Sequence, residues 1–192
     1  FCAGLDLREM QEGGWLPDFW GPLHFDIWKP VIVAINGPCV GGGMDFASEC
    51  DIVIASEEAF FMDSHVSIGL VSAHEGLQMA RRLPFPVALR MALVGNHERL
   101  TARRAYELGF VTEIHPREEL NAAAQRIAEA ILSNAPLAVR GTKELLIRGQ
   151  HQSLSEAMIL AERIRRDNTR TEDIREGPRA FVEKRKPVWK AK

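Results

Sequence analysis

Apolar positions along this 192-residue chain follow two rhythms. In the first half, short continuous apolar runs rich in β-branched residues sit between Pro, Gly and Asp punctuation. "KPVIVAING" (Lys29–Gly37), "DIVIAS" (Asp51–Ser56) and "AFFM" (Ala59–Met62) predict buried strands. The stretch from Gly43 to about Cys50 has the length of a helix, and "FCAGLDL" at Phe1–Leu7 predicts the end of a strand entering a turn. From Gly76 to Gly95 the rhythm turns helical, interrupted at Pro84 and Pro86. Thr101 is placed to N-cap a short helix that Gly109 ends, and "FVTEI" (Phe110–Ile114) predicts a further strand.

Beyond His115 only the helical rhythm remains. Pro116 stands at a predicted helix start, and Leu120, Ala124, Ile127, Ala128, Ile131 and Leu132 recur on one face. A second helix is expected after Pro136. A third is expected near Ser153, where Ser153 and Glu156 have capping-box spacing. The tail from Glu176 to Lys192 reads as basic. The pattern therefore divides the chain into a strand-and-helix body, residues 1–116, and a helical region, residues 117–192. Residues 11–28 stand apart, with Trp15, Trp20 and Trp28 between Gly and Pro breaks. They read as an aromatic-anchored surface loop or as the wall of an apolar ligand pocket.

Composition narrows the class. Hydrophobic residues make up 46% and charged residues 26%, an ordinary globular balance. A net charge of −2 gives no electrostatic reason to expect nucleic acid. No apolar run approaches the roughly 20 residues that span a bilayer, so no membrane partner is expected. Cys2, Cys39 and Cys50 form no CxxC pair and are read as reduced, structural thiols of a cytoplasmic protein. His65 and His74 lack a regular ligand spacing, so no metal is expected. The chain opens on Phe1, in mid-strand by pattern, which suggests that N-terminal strands of the full protein precede it.

The chemistry centres on "CVGGGMDFASECD" (Cys39–Asp51), where Gly41, Gly42 and Gly43 run from a buried strand into a helix. The first N–H groups of a helix have no partner within it, and the helix dipole favours a negative oxygen there. No Lys-Ser or Lys-Thr follows, as a P-loop requires, and the GxGxxG dinucleotide pattern is absent. A site that polarises a carbonyl or holds an oxyanion remains, next to the alternative of tight helix–strand packing.

"FCAGLDL", "KPVIVAINGPCVGGGMDFASECDIVIAS", "AFF…IGL" (Ala59–Leu70), "LTARRAYELGFVTEI" (Leu100–Ile114) and "EGPRAFVEKRKP" follow one another in this order. Together they resemble the crotonase superfamily, the enoyl-CoA hydratases and isomerases, over residues 1–8 and 29–192. The resemblance implies an α/β spiral of β-β-α turns with C-terminal helices for trimerisation, as a homotrimer or a hexamer of two trimers. It implies an acyl-CoA thioester substrate and no cofactor beyond that coenzyme A. The thioester oxygen would lie between the backbone N–H groups of Leu5 and Gly42. Leu5, Asp6, Leu7, Arg8 and Gly41 would line the CoA, and Phe181 and Lys184 would meet its adenine and phosphate end.

Hydratases of this superfamily carry a glutamate two residues after the glycines and a second one on the loop after the next strand. Here those positions hold Asp45 and His65. Asp45 keeps a carboxylate, and His65 exchanges a proton near neutrality. The "GGGMDFASECD" stretch also resembles the dienoyl-CoA isomerase branch, which has acids where His65 and Ala73 stand. His74 and Glu75, in "SAHEG", are candidates for the missing groups. Three functions follow: hydration or double-bond migration of an α,β-unsaturated acyl-CoA, another crotonase-type reaction such as thioester or C–C hydrolysis, and acyl-CoA binding without chemistry. Asp45 at the usual acid position ranks the first highest.

Overall fold

A computed structural model describes residues 1–12, 21–22 and 24–192. Half of residues 11–28, with Trp15 and Trp20, falls outside the described residues, so of the tryptophans of that stretch only Trp28 is described. Two compact units are present: residues 1–27 with 31–125, and residues 28–30 with 126–192.

The first unit is built by repetition. Strand β1 (Ile32–Ile35) is followed by β2 (Cys39–Val40) and helix α2 (Gly42–Glu49), after a short helix α1 at Leu7–Gln11. Strands β3 (Ile52–Ser56) and β4 (Phe60–Met62) follow, then a 3₁₀ turn (His65–Ile68) and α3 (His74–Arg82). Each β-β-α turn sends its first strand to one sheet and its second to another. β1, β3 and a later strand β6 (Glu113–His115) are parallel neighbours, with Val33 beside Val53 and Ile54 beside Glu113. β2 pairs parallel with β4, and β4 pairs antiparallel with β5 (Leu100–Thr101). Cys2 adds an isolated parallel bridge to Cys39. Parallel neighbours need covered faces, which explains why the strands read as continuous apolar runs. Ile35, Val53, Ile54 and Phe61 are fully buried, and the Phe61 ring meets Phe110 edge-on at 5.2 Å.

The helical stretch after α3 resumes as α4 (Phe85–Val94), with the break at Pro84. Pro86 does not interrupt it, because it lies in the first turn, where a missing N–H is harmless. Thr101 caps α5 (Ala102–Glu107) by accepting from the Arg104 N–H. The strand predicted over Phe110–Ile114 is shorter than the pattern suggests. The N–H groups of Phe110 and Val111 turn back to the Ala105 carbonyl, and pairing with β3 starts only where the Thr112 N–H reaches Val53.

The boundary between units falls inside α6 (Leu120–Leu132), which starts four residues later than Pro116. Leu120 and Ala123 are buried, whereas Leu132 is 75% exposed. The second unit holds the remaining turns of α6, then α7 (Pro136–Gly149), α8 (Leu154–Asn168) and α9 (Asp173–Val182). α8 carries the complete capping box of Ser153 and Glu156. In this unit Lys143 donates to the Lys29 carbonyl at 2.9 Å, and Arg148 lies over the Trp28 ring. The tail is only partly a basic extension. Its first residues continue α9 through Pro178, and the Asp173 carboxylate then accepts from the N–H groups of Lys190 and Ala191.

Candidate active site

The three glycines have distinct geometric reasons. Gly41, the N-cap of α2, has φ +53, which side chains rarely adopt. Gly43 packs so closely that a Cβ there would lie 2.6 Å from the Cys2 carbonyl oxygen. Cys2 is fixed in turn by its N–H to the Pro38 carbonyl and by its own carbonyl, which accepts from Val40. The chain then passes Gly4, whose Cβ direction points to within 3.9 Å of the Gly42 nitrogen. Gly4, the residue before Leu5, therefore lies against the start of α2. No described residue accepts from the N–H of Leu5 or of Gly42.

One turn into α2, Asp45 is fully buried, and neither carboxylate oxygen has a hydrogen-bond partner among the described residues. Burial, then the negative charges of Glu75 and Glu49, push it up to about 6, against the pull of His74 and His24. Glu49, four residues on and equally buried, lies 2.8 Å from His24 Nδ1. The His24 and His74 rings meet edge-on at 6.1 Å.

His65 is fixed from both sides. Its Nδ1 lies 2.8 Å from Asp63 Oδ1, and its backbone N–H also reaches that oxygen. Its Nε2 lies 3.4 Å from Glu75 Oε1. Ser72 donates to the other Asp63 oxygen. Burial alone would raise the Asp63 carboxyl, but the hydrogen bonds from His65 and Ser72 outweigh it and hold the group below its ordinary range. The bond to Asp63 raises the His65 ring above the ordinary histidine value; burial opposes this, and Glu75 and Asp45 reinforce it.

The structure thus brings Leu5, Gly41, Gly42, Asp45, His65, His74 and Glu75 into the first unit. Asp6 accepts from the Arg8 N–H at 2.9 Å at the start of α1, and Leu5 and Leu7 are exposed. Phe181, 83% exposed, and Lys184, with φ +52, belong to the second unit. Sequence reasoning missed Asp63, Ser72, Glu49 and His24. For Glu49 the four-residue spacing from Asp45, one helical turn, was an available signal. It also missed Arg82, which donates to the carbonyls of Ala47, Ser48 and Cys50 at the C-terminal end of α2. Burial pushes the Cys39 thiol up to about 12, as expected for a structural cysteine. No group of three metal-binding side chains and no helix able to cross a membrane is found among the described residues.

A β-β-α spiral that delivers a glycine-led helix start and a buried acid to one place is a crotonase-like α/β fold. The chain belongs to the enoyl-CoA hydratase/isomerase family, whose model matches residues 1–192. It is 34% identical to the (E)-benzylidenesuccinyl-CoA hydratase of Thauera aromatica, over 99% of this chain and 77% of that protein. It is 35% identical to the carnitinyl-CoA dehydratase of Proteus mirabilis, over the whole of this chain and 77% of that protein. The crystal structure of an enoyl-CoA hydratase/isomerase from Mycobacterium paratuberculosis superposes with a TM-score of 0.84 at 55% identity. That match covers 86% of this chain and 65% of the other.

Proposed function

We propose that the protein processes an α,β-unsaturated acyl-CoA, by hydration or by double-bond migration, through an enolate of the thioester. The approach of Gly4 to the start of α2, one turn from a buried Asp45 with no hydrogen-bond partner among the described residues, carries this reading. The thioester oxygen accepts from the N–H groups of Leu5 and Gly42. Both donors and the α2 dipole act most strongly on the oxygen when it carries the enolate charge. Asp45 is the principal acid/base, since a carboxyl pushed up to about 6 gives and takes a proton near neutrality. His65 is its partner, positioning the water or the group that handles the second proton. The addition of water to a double bond moves no net electrons, so no redox cofactor is required.

Hydrolysis of a thioester or C–C bond ranks second. The bond from His65 Nδ1 to Asp63 is the arrangement that orients a histidine base. Yet Nε2 faces Glu75 rather than an open position, and the raised ring gives up its proton less readily than an ordinary histidine.

The CoA follows Asp6, Leu7 and Arg8 of the first unit. The subunits assemble as trimers or hexamers, and a stable monomer by light scattering contradicts that assembly. The test of function is turnover of enoyl-, dienoyl- and β-ketoacyl-CoA esters by the purified protein. Asp45→Asn is expected to lower kcat by roughly 10²–10⁴-fold at nearly unchanged affinity. Full activity in that variant rejects the role of Asp45.

A further inference from the structure

Resting on that reading of the site, we infer that Glu75 is the second reacting carboxylate and that His65 is a positioning residue that holds it. His65 replaces an acid on the loop after β4, but its two ring nitrogens are engaged by Asp63 and Glu75. Asp63 bonds the ring and the backbone of the same residue, and Ser72 steadies Asp63. The ring is therefore a fixed strut with Glu75 at its free end. Ser72 itself lies against Gly76 of α3, where a Cβ would come within 2.8 Å of the Ser72 hydroxyl. Loop and helix start are thus set against each other, and Glu75 is carried at a defined place.

Glu75 has the properties of the missing group. It lies in the first turn of α3, beside the loop that carries His65. Its ion pair with His65 uses Oε1, and its side chain keeps 13% of its surface open while Asp45 keeps none. Among the charges around Asp45 it is the one that raises that carboxyl most, after burial itself. Of two carboxyl groups at one site, one can take a proton while the other gives one.

In hydration, the Glu75 carboxylate takes a proton from water as the water oxygen bonds to the β-carbon. The double-bond electrons move to the thioester oxygen, held by Leu5 and Gly42. The protonated Asp45 then delivers its proton to the α-carbon. The proton on Glu75 returns to Asp45, and one water has been added in total.

The test is Glu75→Gln in the purified full-length protein, with His65→Gln alongside and the best ester of the panel. Glu75→Gln should lower kcat about 10²–10⁴-fold with KM within about threefold. The pH profile should change as well. The alkaline limb, set by Asp45, should move to lower pH once the Glu75 charge is gone. Glu75→Asp should recover part of the loss, and His65→Gln should lose less than Glu75→Gln. A carbon-13 NMR titration of Asp45 gives a readout independent of activity, and its midpoint should fall in Glu75→Gln. A kcat within threefold of wild type with both limbs intact, or an Asp45 midpoint that does not move, overturns the inference while the proposed function stands. A wild type that turns over no ester overturns both.

Discussion

Replacing Asp45 by Asn should abolish a fall in stability that the wild type shows as pH rises from about 4 to 6, while it lowers activity. Asp45 moves from the ordinary 3.8 to about 6 on folding, chiefly because burial disfavours its charge. Between those values the folded state binds a proton that the unfolded chain releases, so stability falls as pH rises. Each pH unit is worth about 1.4 kcal/mol, giving a loss of about 3 kcal/mol between about pH 4 and pH 6. Asn does not titrate and escapes this loss. The amide's own buried N–H and C=O groups shift stability by an amount independent of pH, so the change in the difference is the informative quantity. His65 complicates little within this window. Its raised ring contributes stability fully present below its unfolded value of 6.5, lost only as pH rises through the folded value. Asp63, held low, contributes above its unfolded value and equally in both proteins. The assay is urea unfolding of wild type and Asp45→Asn at pH 4, 5, 6 and 7. The variant should gain about 3 kcal/mol relative to wild type across the series. A difference that stays constant from pH 4 to pH 7 refutes the claim that Asp45 is buried at the expense of its charge.

Arg82→Met should weaken α2 from its far end, since the guanidinium satisfies carbonyls at Ala47, Ser48, Cys50 and Asp51. Loss of such charged hydrogen bonds costs about 3 kcal/mol, a drop of roughly 6–12 °C in Tm for a chain of this size; a melting curve unchanged within a degree contradicts the role. At the second unit, Lys184→Ala should weaken binding of CoA esters and leave a pantetheine thioester lacking the nucleotide unaffected. Equal weakening of both in calorimetry removes Lys184 from the phosphate contact.

The elements legible in the sequence are those whose burial or caps leave a local mark. β3 shows as an apolar run because both of its faces are covered, β1 and β4 because one face is buried and the other half-buried with apolar residues, and α5 and α8 show through Thr101 and Ser153. β2 and β5 are two residues long and carry no period. α9 is masked by Pro178 and by the basic residues that follow it. Within the site, the glycines and Asp45 are contiguous and so readable as a motif. The link between His65 and Glu75 spans ten residues and exists only because the 3₁₀ turn folds back on the start of α3. Asp63 and Ser72 are missed for the same reason. Nothing in the spacing of "MDSHVSIGLVSAHEG" says that two acids and a hydroxyl close around one ring.

The central claim is that a thioester bound at Leu5 and Gly42 becomes an enolate whose α-carbon is protonated by Asp45. Exchange of the α-carbon hydrogens of bound acyl-CoA esters with deuterium oxide, followed by NMR, measures that step whichever reaction completes it. Wild type should incorporate deuterium at the α-carbon, and Asp45→Asn should slow incorporation by roughly 10²–10⁴-fold while still binding the ester. Tight binding by wild type with no exchange, or undiminished exchange in Asp45→Asn, contradicts the account.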